Sequence, residues 1–209
     1  MRGWRAGAAL ALGVASAGCT VGDGSGRVET TRLYLKECWN GPFDLKPDFF
    51  AANPYREESL LIRIQRGDNN QEASDGMTVI VTDLDAVRDR LGEPIPVGLP
   101  PGVAPPGQPL TGAAAPLVSI SLYLHQTCHE QNSATYSVGG EITFKYLFSG
   151  DLNEKNTDAR RTVASFDNLR FADPRDLVDA EDPEAVTSED VEGEFDFFFQ
   201  RGQPAQPFQ

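Results

Sequence analysis

The segment LYLHQTCHEQN, residues 122–132, contains both histidines and one of the three cysteines of this protein, the residue types that most often bind metals or react as nucleophiles. His125, Cys128 and His129 lie within five residues, a density that suggests a metal site or an attached haem. On an extended strand both histidines share one face while Cys128 takes the other, and residues four apart lie about 13 Å apart along the strand. Two imidazoles at that spacing cannot share one ion at bonds of about 2 Å. Haem attachment requires C-x-x-C-H, and His125 stands where the first cysteine belongs. The segment therefore predicts neither a metal nor a haem.

Motifs for enzymatic chemistry are absent from the sequence. It contains no G-x-S-x-G nucleophile elbow, no H-E-x-x-H zinc motif and no glycine-rich phosphate loop. A pair of carboxylates could still catalyse hydrolysis, because such a pair is assembled in space rather than in sequence. We therefore predict a non-enzymatic protein without a cofactor, with a carboxylate-based hydrolase as the alternative.

Two acidic runs that contain asparagine could bind Ca²⁺, which prefers clustered hard oxygen ligands. The candidate ligands are Asp151, Asn153 and Asp158 in GDLNEKNTD, and Asp68, Asn70, Glu72 and Asp75 in GDNNQEASDG. Neither run matches an EF-hand loop, because Lys155 occupies a ligand position in the first and neither has a glutamate at the twelfth position. Solvated hairpin turns explain both runs at least as well.

The segment 38–57, CWNGPFDLKPDFFAANPYRE, is rich in aromatic residues for a loop. These residues are Trp39, Phe43, Phe49, Phe50 and Tyr55. One interpretation is a small satellite core beneath a long loop. The other is an exposed recognition surface for a glycan or an envelope protein.

The N-terminal segment MRGWRAGAALALGVASAGCT is typical of a secretory signal, with two arginines, then an apolar run, then small residues. The apolar run is about half of the roughly 20 residues that span a bilayer. We therefore predict a signal peptide over residues 1–18 and no membrane-spanning helix. Ordinary signal peptidase could cut after residues 15–17 (ASA), before Gly18, and release a soluble protein.

Residues 16–19, SAGC, resemble the lipobox of bacterial lipoproteins, in which the cysteine receives a diacylglycerol and becomes the new N-terminus. Ala17, Gly18 and Cys19 carry the resemblance, and Ser16 departs from it, since the family usually has a branched apolar residue there. The resemblance implies lipidation of Cys19, incorporation of palmitate and anchoring in the cell envelope. Thr20, which stands where an aspartate would indicate the inner membrane, implies the outer membrane.

The odd number of cysteines connects the predicted lipid anchor with a predicted disulfide. An exported chain with three cysteines that pairs two of them leaves one thiol over in an oxidising compartment. Lipidation of Cys19 accounts for the odd thiol and leaves Cys38 and Cys128 to form a disulfide. LYLKEC and LYLHQTC each resemble a strand that ends in cysteine, although Cys38 needs a bulge or twist near Glu37 to face the core. Closing a loop of about 90 residues should stabilise the fold by about 4 kcal/mol.

The chain is strongly acidic, with a formal charge of −13. Removal of residues 1–18 takes away Arg2 and Arg5 and leaves about −15 on the mature chain. Such a charge excludes nucleic acid and anionic membrane surfaces as partners. We therefore expect contact with the membrane only through the lipid anchor.

Alternation of apolar and polar residues predicts an all-β protein. The predicted strands are 31–37, 58–66, 77–82, 117–127, 141–148 and 191–199, and one short helix is predicted over 83–92 with Asp83 as its cap. In 58–66, for example, Ile62 and Ile64 share the apolar face, and Arg63 and Gln65 share the polar one. One solvated face per strand is typical of antiparallel sheets, so we predict a β-sandwich of Greek-key or jelly-roll type.

A single domain over residues 31–200 fits the length of the chain. Residues 19–30 are predicted to be a flexible tether, and residues 201–209 a C-terminal tail. The Pro- and Gly-rich segment 92–117 should be neither strand nor helix and should lie as a strap across the domain. The acidic segment 172–190 should be a solvated loop.

These observations predict an exported, lipid-anchored β-sandwich lipoprotein that serves as a non-catalytic binding or structural module of the bacterial envelope. The alternatives are a soluble secreted binding protein and the carboxylate-based hydrolase.

Overall fold

The structure is a computed structural model that describes residues 24–55, 58–67, 71–100, 102–103, 115–129 and 134–199. The predicted signal peptide, Cys19, Asp68, Asn70 and the C-terminal tail lie outside the described residues, as does most of the segment between residues 101 and 114. None of the helices formed by the described residues has the length and apolar character that crossing a membrane requires.

The described residues form ten strands, which confirms the prediction of an all-β protein. The strands are β1 (Gly24–Leu35), β2 (Trp39–Leu45), β3 (Phe49–Pro54), β4 (Leu60–Arg66), β5 (Asp75–Val81), β6 (Pro94–Gly98), β7 (Val118–Leu124), β8 (Ala134–Tyr146), β9 (Arg161–Ala172) and β10 (Ser188–Phe198). The helices are α1 (Leu84–Arg88) and α2 (Pro174–Asp179), and short 3₁₀ turns occupy Gln71–Ala73, Asp158–Arg160 and Pro183–Val186.

All of these strands hydrogen-bond into one sheet, in the order β2-β1-β10-β9-β8-β6-β7-β5-β4-β3. Neighbouring strands are antiparallel except β6 and β7, which run parallel over a short stretch. β8 pairs with β7 near its start and with β6 further along, so β6 is wedged between the two. The prediction of a sandwich is not confirmed, because the strands form one continuous sheet.

The two edge strands of this sheet are neighbours in the chain. β2 ends at Leu45 and β3 begins at Phe49, so residues 46–48 alone join opposite edges. Three residues span about 10 Å, and the sheet therefore has to curl back on itself. The ring of Phe50 on β3 accordingly stacks on the ring of Phe197 on β10, at a centroid distance of 5.6 Å. The curled sheet encloses a single apolar core.

Alternating positions of the strands supply this core. Register partners on β4 and β5, such as Ile62 with Val79 and Ile64 with Met77, are completely buried. The predicted helix is also confirmed, as α1, and Asp83 caps it by accepting a hydrogen bond from the N–H of Ala86 at 2.9 Å.

The prediction of a flexible tether through residue 30 was wrong for residues 24–30. Those residues belong to β1 and pair with β10 from Gly24 onwards. Gly24 and Gly26 lie where a side chain would collide with β10, because a Cβ on Gly24 would come within 2.9 Å of the carbonyl oxygen of Asp196. These glycines therefore allow close packing, although in the sequence they resemble a linker.

The segments predicted to be irregular also contain regular structure. The Pro-rich segment 92–117 includes β6, because a proline at every second position removes only every second backbone donor. Between those prolines, Ile95 and Val97 bury their side chains in the core. The acidic segment 172–190 contains α2 and a 3₁₀ turn, each begun by an Asp-Pro pair whose aspartate, Asp173 or Asp182, caps the following backbone.

Candidate functional site

Cys38 and Cys128 form the predicted disulfide, with their Cα atoms 6.0 Å apart. Cys38 lies in the tight turn between β1 and β2, and its N–H donates to the carbonyl of Leu35 at 3.1 Å. The distortion expected near Glu37 is present, because Glu37 takes a left-handed backbone conformation with φ of 59°. That turn is what directs Cys38 towards the core.

Cys128 reaches the disulfide by a different route from the predicted one. β7 ends at Leu124, and the chain then turns so that the N–H of Cys128 donates to the carbonyl of Leu124 at 2.6 Å. The prediction that strand alternation continues through residue 129 was therefore wrong beyond Leu124. His125, at the start of the turn, places its Nδ1 2.9 Å from the carbonyl of Gln71, while His129 is exposed.

A single buried carboxylate holds this turn. Asp75 is completely buried, and its Oδ1 accepts hydrogen bonds from the backbone N–H groups of Gln126 at 3.1 Å and Thr127 at 2.9 Å. Its Oδ2 accepts from the hydroxyl of Thr127 at 2.6 Å and from the guanidinium of Arg66 at 2.8 Å. The interpretation of Asp75 as a calcium ligand was wrong, because both of its oxygens are engaged by the protein.

Of the remaining described calcium candidates, Glu72 is exposed in the 3₁₀ turn between β4 and β5, and the others lie in the loop between β8 and β9. Asp151 and Asp158 are exposed, and Oδ1 of Asp151 accepts from the N–H of Asn153 at 2.8 Å. Asn156 caps the N–H of Asp158 in the same manner. These side chains shape their own loop, and nowhere in the described parts of the chain do three His, Cys, Asp or Glu residues converge as metal ligands would.

The aromatic residues of segment 38–57 do not form one exposed surface, which corrects that interpretation. Phe49 and Phe50 are 3% and 2% exposed because they belong to β3 and pack inward. Trp39 and Phe43 on β2 are partly buried against the core, and the Trp39 indole N–H donates to the carbonyl of Gly41 at 3.3 Å. Of the five, only Tyr55 is largely exposed, at 42%.

The polar face predicted for β4 is buried rather than solvated. Arg63 is 3% exposed and lies over the Phe49 ring, 4.7 Å from its centroid. The Tyr123 hydroxyl donates to Oε1 of Gln65 at 2.9 Å, and Nε2 of Gln65 donates to the hydroxyl of Ser74 at 3.2 Å. Burial lowers the pKa of the Arg63 guanidinium and raises the pKa of the Tyr123 phenol well above its usual range.

In the half of the sheet formed by β2, β1, β10, β9 and β8, carboxylates lie side by side on the outer surface of neighbouring strands. From β2 to β8 they are Asp44, Glu29, Glu192, Asp167 and Glu141, which we call the acidic row. Asp44 is the register partner of Glu29, which is itself the partner of Glu192.

The row continues across β9 into β8. On β10, Val191 pairs with Leu169 and Gly193 pairs with Phe166. Glu192, the one residue between them, therefore faces two residues of β9, the bulge at residues 167–168. Asp167, at this bulge, is in turn the register partner of Glu141.

Backbone irregularities follow the same line. Register shifts interrupt β10 and β8 at the row and β1 just beyond it, between Thr30 and Leu33. Asn168 and Asp190 take left-handed conformations with φ of 53° and 50°. Bulges of this kind bend a sheet and redirect its side chains, and they are frequent beside functional sites. Here they form a shallow cleft of about 830 Å³ whose lining includes Glu29, Glu141 and Glu192.

The charges of this cleft are unbalanced. Arg27 is the one basic residue in its lining, and it pairs with Glu29 and approaches Asp44 to 3.5 Å. Asp44 also approaches Lys46 to 3.4 Å. Glu192 opposite Glu29, and Asp167 opposite Glu141, place like charges together, which is a destabilising arrangement in a sheet. The negative potential of the row attracts cations and basic partners. Glu141 and Asp167 are both exposed, whereas a general acid is usually held in an apolar pocket.

Comparison of the chain with protein-family models, with curated proteins and with solved structures found no match.

Proposed function

We propose that this protein is an exported, lipid-anchored and non-catalytic module of the bacterial cell envelope. The disulfide carries the proposal, because disulfides persist in oxidising compartments and are rare in the cytosol. Cys38 and Cys128 are paired across 90 residues of chain, which leaves Cys19 as the only other cysteine. A lipid on Cys19 then accounts for the third sulfur.

The position of Cys19 suits an anchor. The first described residue, Gly24, already belongs to β1, so at most residues 20–23 separate the cysteine from the sheet. Four residues span at most about 14 Å, and a lipid on Cys19 would therefore hold the sheet close to the membrane surface. The start of β1, which is also the start of its pairing with β10, would face the membrane.

The acidic row supports a binding role for the anchored domain. Its carboxylates lie on the outer surface of the sheet and create a concentrated negative potential. A protein partner with a basic surface is the envelope component that such a potential attracts. The same row argues for recognition rather than catalysis, because its members lie on an open surface.

A soluble secreted protein is the second candidate, because the disulfide fits that destination equally well. The two differ at the mature N-terminus. Cleavage before Gly18 would leave a free amino group on Gly18, whereas lipoprotein processing would leave an acylated Cys19.

The test is incorporation of labelled palmitate by cells that express the wild type, Cys19→Ala or Cys38→Ala. We expect label in the wild type and in Cys38→Ala, which loses a cysteine but keeps the SAGC segment, and none in Cys19→Ala. Label is normalised to the amount of protein on an immunoblot. A wild-type protein without label, whose N-terminus proves by mass spectrometry to be a free Gly18, would show that the lipid anchor is wrong.

The non-catalytic part of the proposal is tested separately. We expect the purified protein to hydrolyse none of a panel of chromogenic glycosides and esters. Turnover that disappears in Glu141→Gln and in Asp167→Asn would contradict that expectation and establish the hydrolase instead.

A further inference from the structure

We propose that Cys38 is the cysteine through which the disulfide exchanges with external thiols and disulfides, and that Cys128 is the resolving cysteine, held in position by Asp75. This assignment goes beyond anchoring in the envelope, and it holds whether or not Cys19 is lipidated.

The two cysteine residues differ in their exposure to solvent. Cys128 is 5% exposed and belongs to the apolar core. Cys38 is only partly buried and packs against that core from the turn between β1 and β2. Thiol–disulfide exchange depends on which sulfur the attacking group can reach. A dissolved thiol or disulfide therefore reaches Cys38 far more readily than Cys128.

Contacts that do not involve sulfur hold Cys128 in place. The carboxylate of Asp75 accepts hydrogen bonds from the N–H groups of Gln126 and Thr127 and from the Thr127 hydroxyl, at 3.1, 2.9 and 2.6 Å. Asp75 belongs to β5, which pairs with β7 up to Leu124. Because none of these bonds needs the disulfide, the turn that carries Cys128 should persist when the disulfide is reduced.

Cys38 is held independently, by the hairpin of β1 and β2. Leu35 pairs with Trp39 across this hairpin, and the N–H of Cys38 donates to the carbonyl of Leu35. The two Cα atoms should therefore stay near their separation of 6.0 Å in the reduced protein. That separation lies within the range from which a disulfide closes without backbone movement, roughly 4.4–6.8 Å.

The proposed oxidation by glutathione disulfide, a low-molecular-weight oxidant, has two steps. The thiolate of Cys38 attacks one sulfur of the oxidant, whose S–S bond breaks, and one glutathione leaves as a thiolate and takes up a proton. The thiolate of Cys128 then attacks the Cys38 sulfur of the mixed disulfide and expels the second glutathione. Two electrons pass from the protein dithiol to one glutathione disulfide, and two molecules of glutathione form.

The roles of the two cysteines are tested in full-length protein that carries Cys19→Ser, so that only the pair reacts. Cys128→Ala isolates Cys38, Cys38→Ala isolates Cys128, and mass spectrometry follows the mixed disulfide with glutathione. In the folded proteins we expect Cys38 to react at least about tenfold faster than Cys128, and in concentrated urea we expect similar rates. Equal rates in two variants with native circular dichroism would overturn the assignment.

A second measurement keeps both Cys38 and Cys128, so it does not depend on whether the alanine variants fold. The reduced pair, with both cysteines present, is mixed with glutathione disulfide and quenched with acid during the reaction. Peptide mapping should then find glutathione on Cys38. Glutathione predominantly on Cys128 would overturn the proposal.

The role of Asp75 is a positioning role and is tested by the closing step alone. In Asp75→Asn, we expect closure of the mixed disulfide to slow about tenfold, while the first reaction at Cys38 keeps its rate. Thr127→Val, at an exposed position, should slow closure less and serves if Asp75→Asn fails to fold. Asp83→Asn is the matched control, because Asp83 also caps a backbone N–H but lies beyond the other end of β5, a strand about 20 Å long. Unchanged closure in both Asp75→Asn and Thr127→Val would show that the turn does not need this carboxylate.

Discussion

Neutralising Glu192 should make this protein more stable, because Glu192 lies between two other carboxylates of the acidic row. Glu29 is its direct register partner on β1, and Asp167 lies at the bulge that it faces on β9. Directly opposed side chains on neighbouring strands have Cβ atoms about 5 Å apart. The change Glu192→Gln keeps the shape of the side chain and removes one charge.

The size of the effect follows from the exposure of these groups. Two unit charges about 6 Å apart repel by about 0.7 kcal/mol in water and by about 3 kcal/mol at an effective dielectric constant of 20. Glu192 is exposed, and the side chain of Glu29 is 30% exposed and also paired with Arg27, so the value near water applies. We therefore expect Glu192→Gln to raise the free energy of unfolding by about 0.5–1 kcal/mol at low salt.

Urea denaturation at two salt concentrations measures this gain. With a urea dependence of about 2 kcal/mol per molar, the midpoint should rise by about 0.3–0.5 M in dilute buffer. The gain should vanish in about 1 M NaCl, where the screening length falls to about 3 Å. Glu189→Gln is the matched control, because Glu189 lies on the same strand but its register partner is Arg32, so its neutralisation should bring no gain. Destabilisation by Glu192→Gln, or a gain that persists in high salt, would refute the electrostatic argument.

Three further changes test other parts of the structure. The double variant Cys38→Ala, Cys128→Ala opens a loop of 90 residues and should lower the free energy of unfolding by about 4–5 kcal/mol in urea titrations; unchanged stability would contradict the chain-entropy argument. Gly193→Ala places a Cβ 2.2 Å from the carbonyl oxygen of Arg27 and should cost at least about 1–3 kcal/mol, so a melting temperature equal to that of the wild type would argue against this packing. A hydrogen bond from Arg175 lowers the pKa of Asp173 in the folded protein. The stability that the Asp173 carboxylate contributes is therefore present above the pKa of the unfolded form, about 4, and is lost as the pH falls through the lowered pKa of the folded form. Asp173→Asn should therefore be less stable than the wild type at neutral pH, and thermal melts should show this difference closing in acid; a difference that does not change with pH would refute the ion pair.

Much of the fold could be predicted from local patterns. Four of the predicted strands, 58–66, 77–82, 117–127 and 191–199, correspond to β4, β5, β7 and β10 within about three residues at each end, whereas 141–148 covers only the second part of β8. Side chains alternate between the two faces of a strand whatever its neighbours are, so period-two alternation can be recognised without knowing the topology. The disulfide could be predicted for a similar reason, since neither the number of cysteines nor the export signal that the N-terminal segment predicts depends on the arrangement of the sheet.

Two of the errors occurred where a distant residue decides the local structure. β7 stops at Leu124 because Asp75, which is 52 positions from Thr127, offers its carboxylate to the turn. Arg63 has the spacing of a solvated side chain, yet it is buried against Phe49. The Asp-Pro pairs that begin α2 and the following 3₁₀ turn could have been recognised from sequence, because a capping aspartate followed by proline is a local signal.

The candidate site depended entirely on the tertiary structure. Alternation by itself placed Glu141 and Glu192 on the polar face of their strands, because that property is local to each strand, whereas Glu29 fell in the predicted tether and only the structure places it on β1. Only strand pairing decided that these three glutamates lie beside one another: β8, β9 and β10 follow one another in the chain and pair in turn, whereas β1 pairs with β10 although the two are far apart in the chain. A sequence specifies the face on which a side chain lies, whereas the charge opposite that side chain is specified by strand pairing.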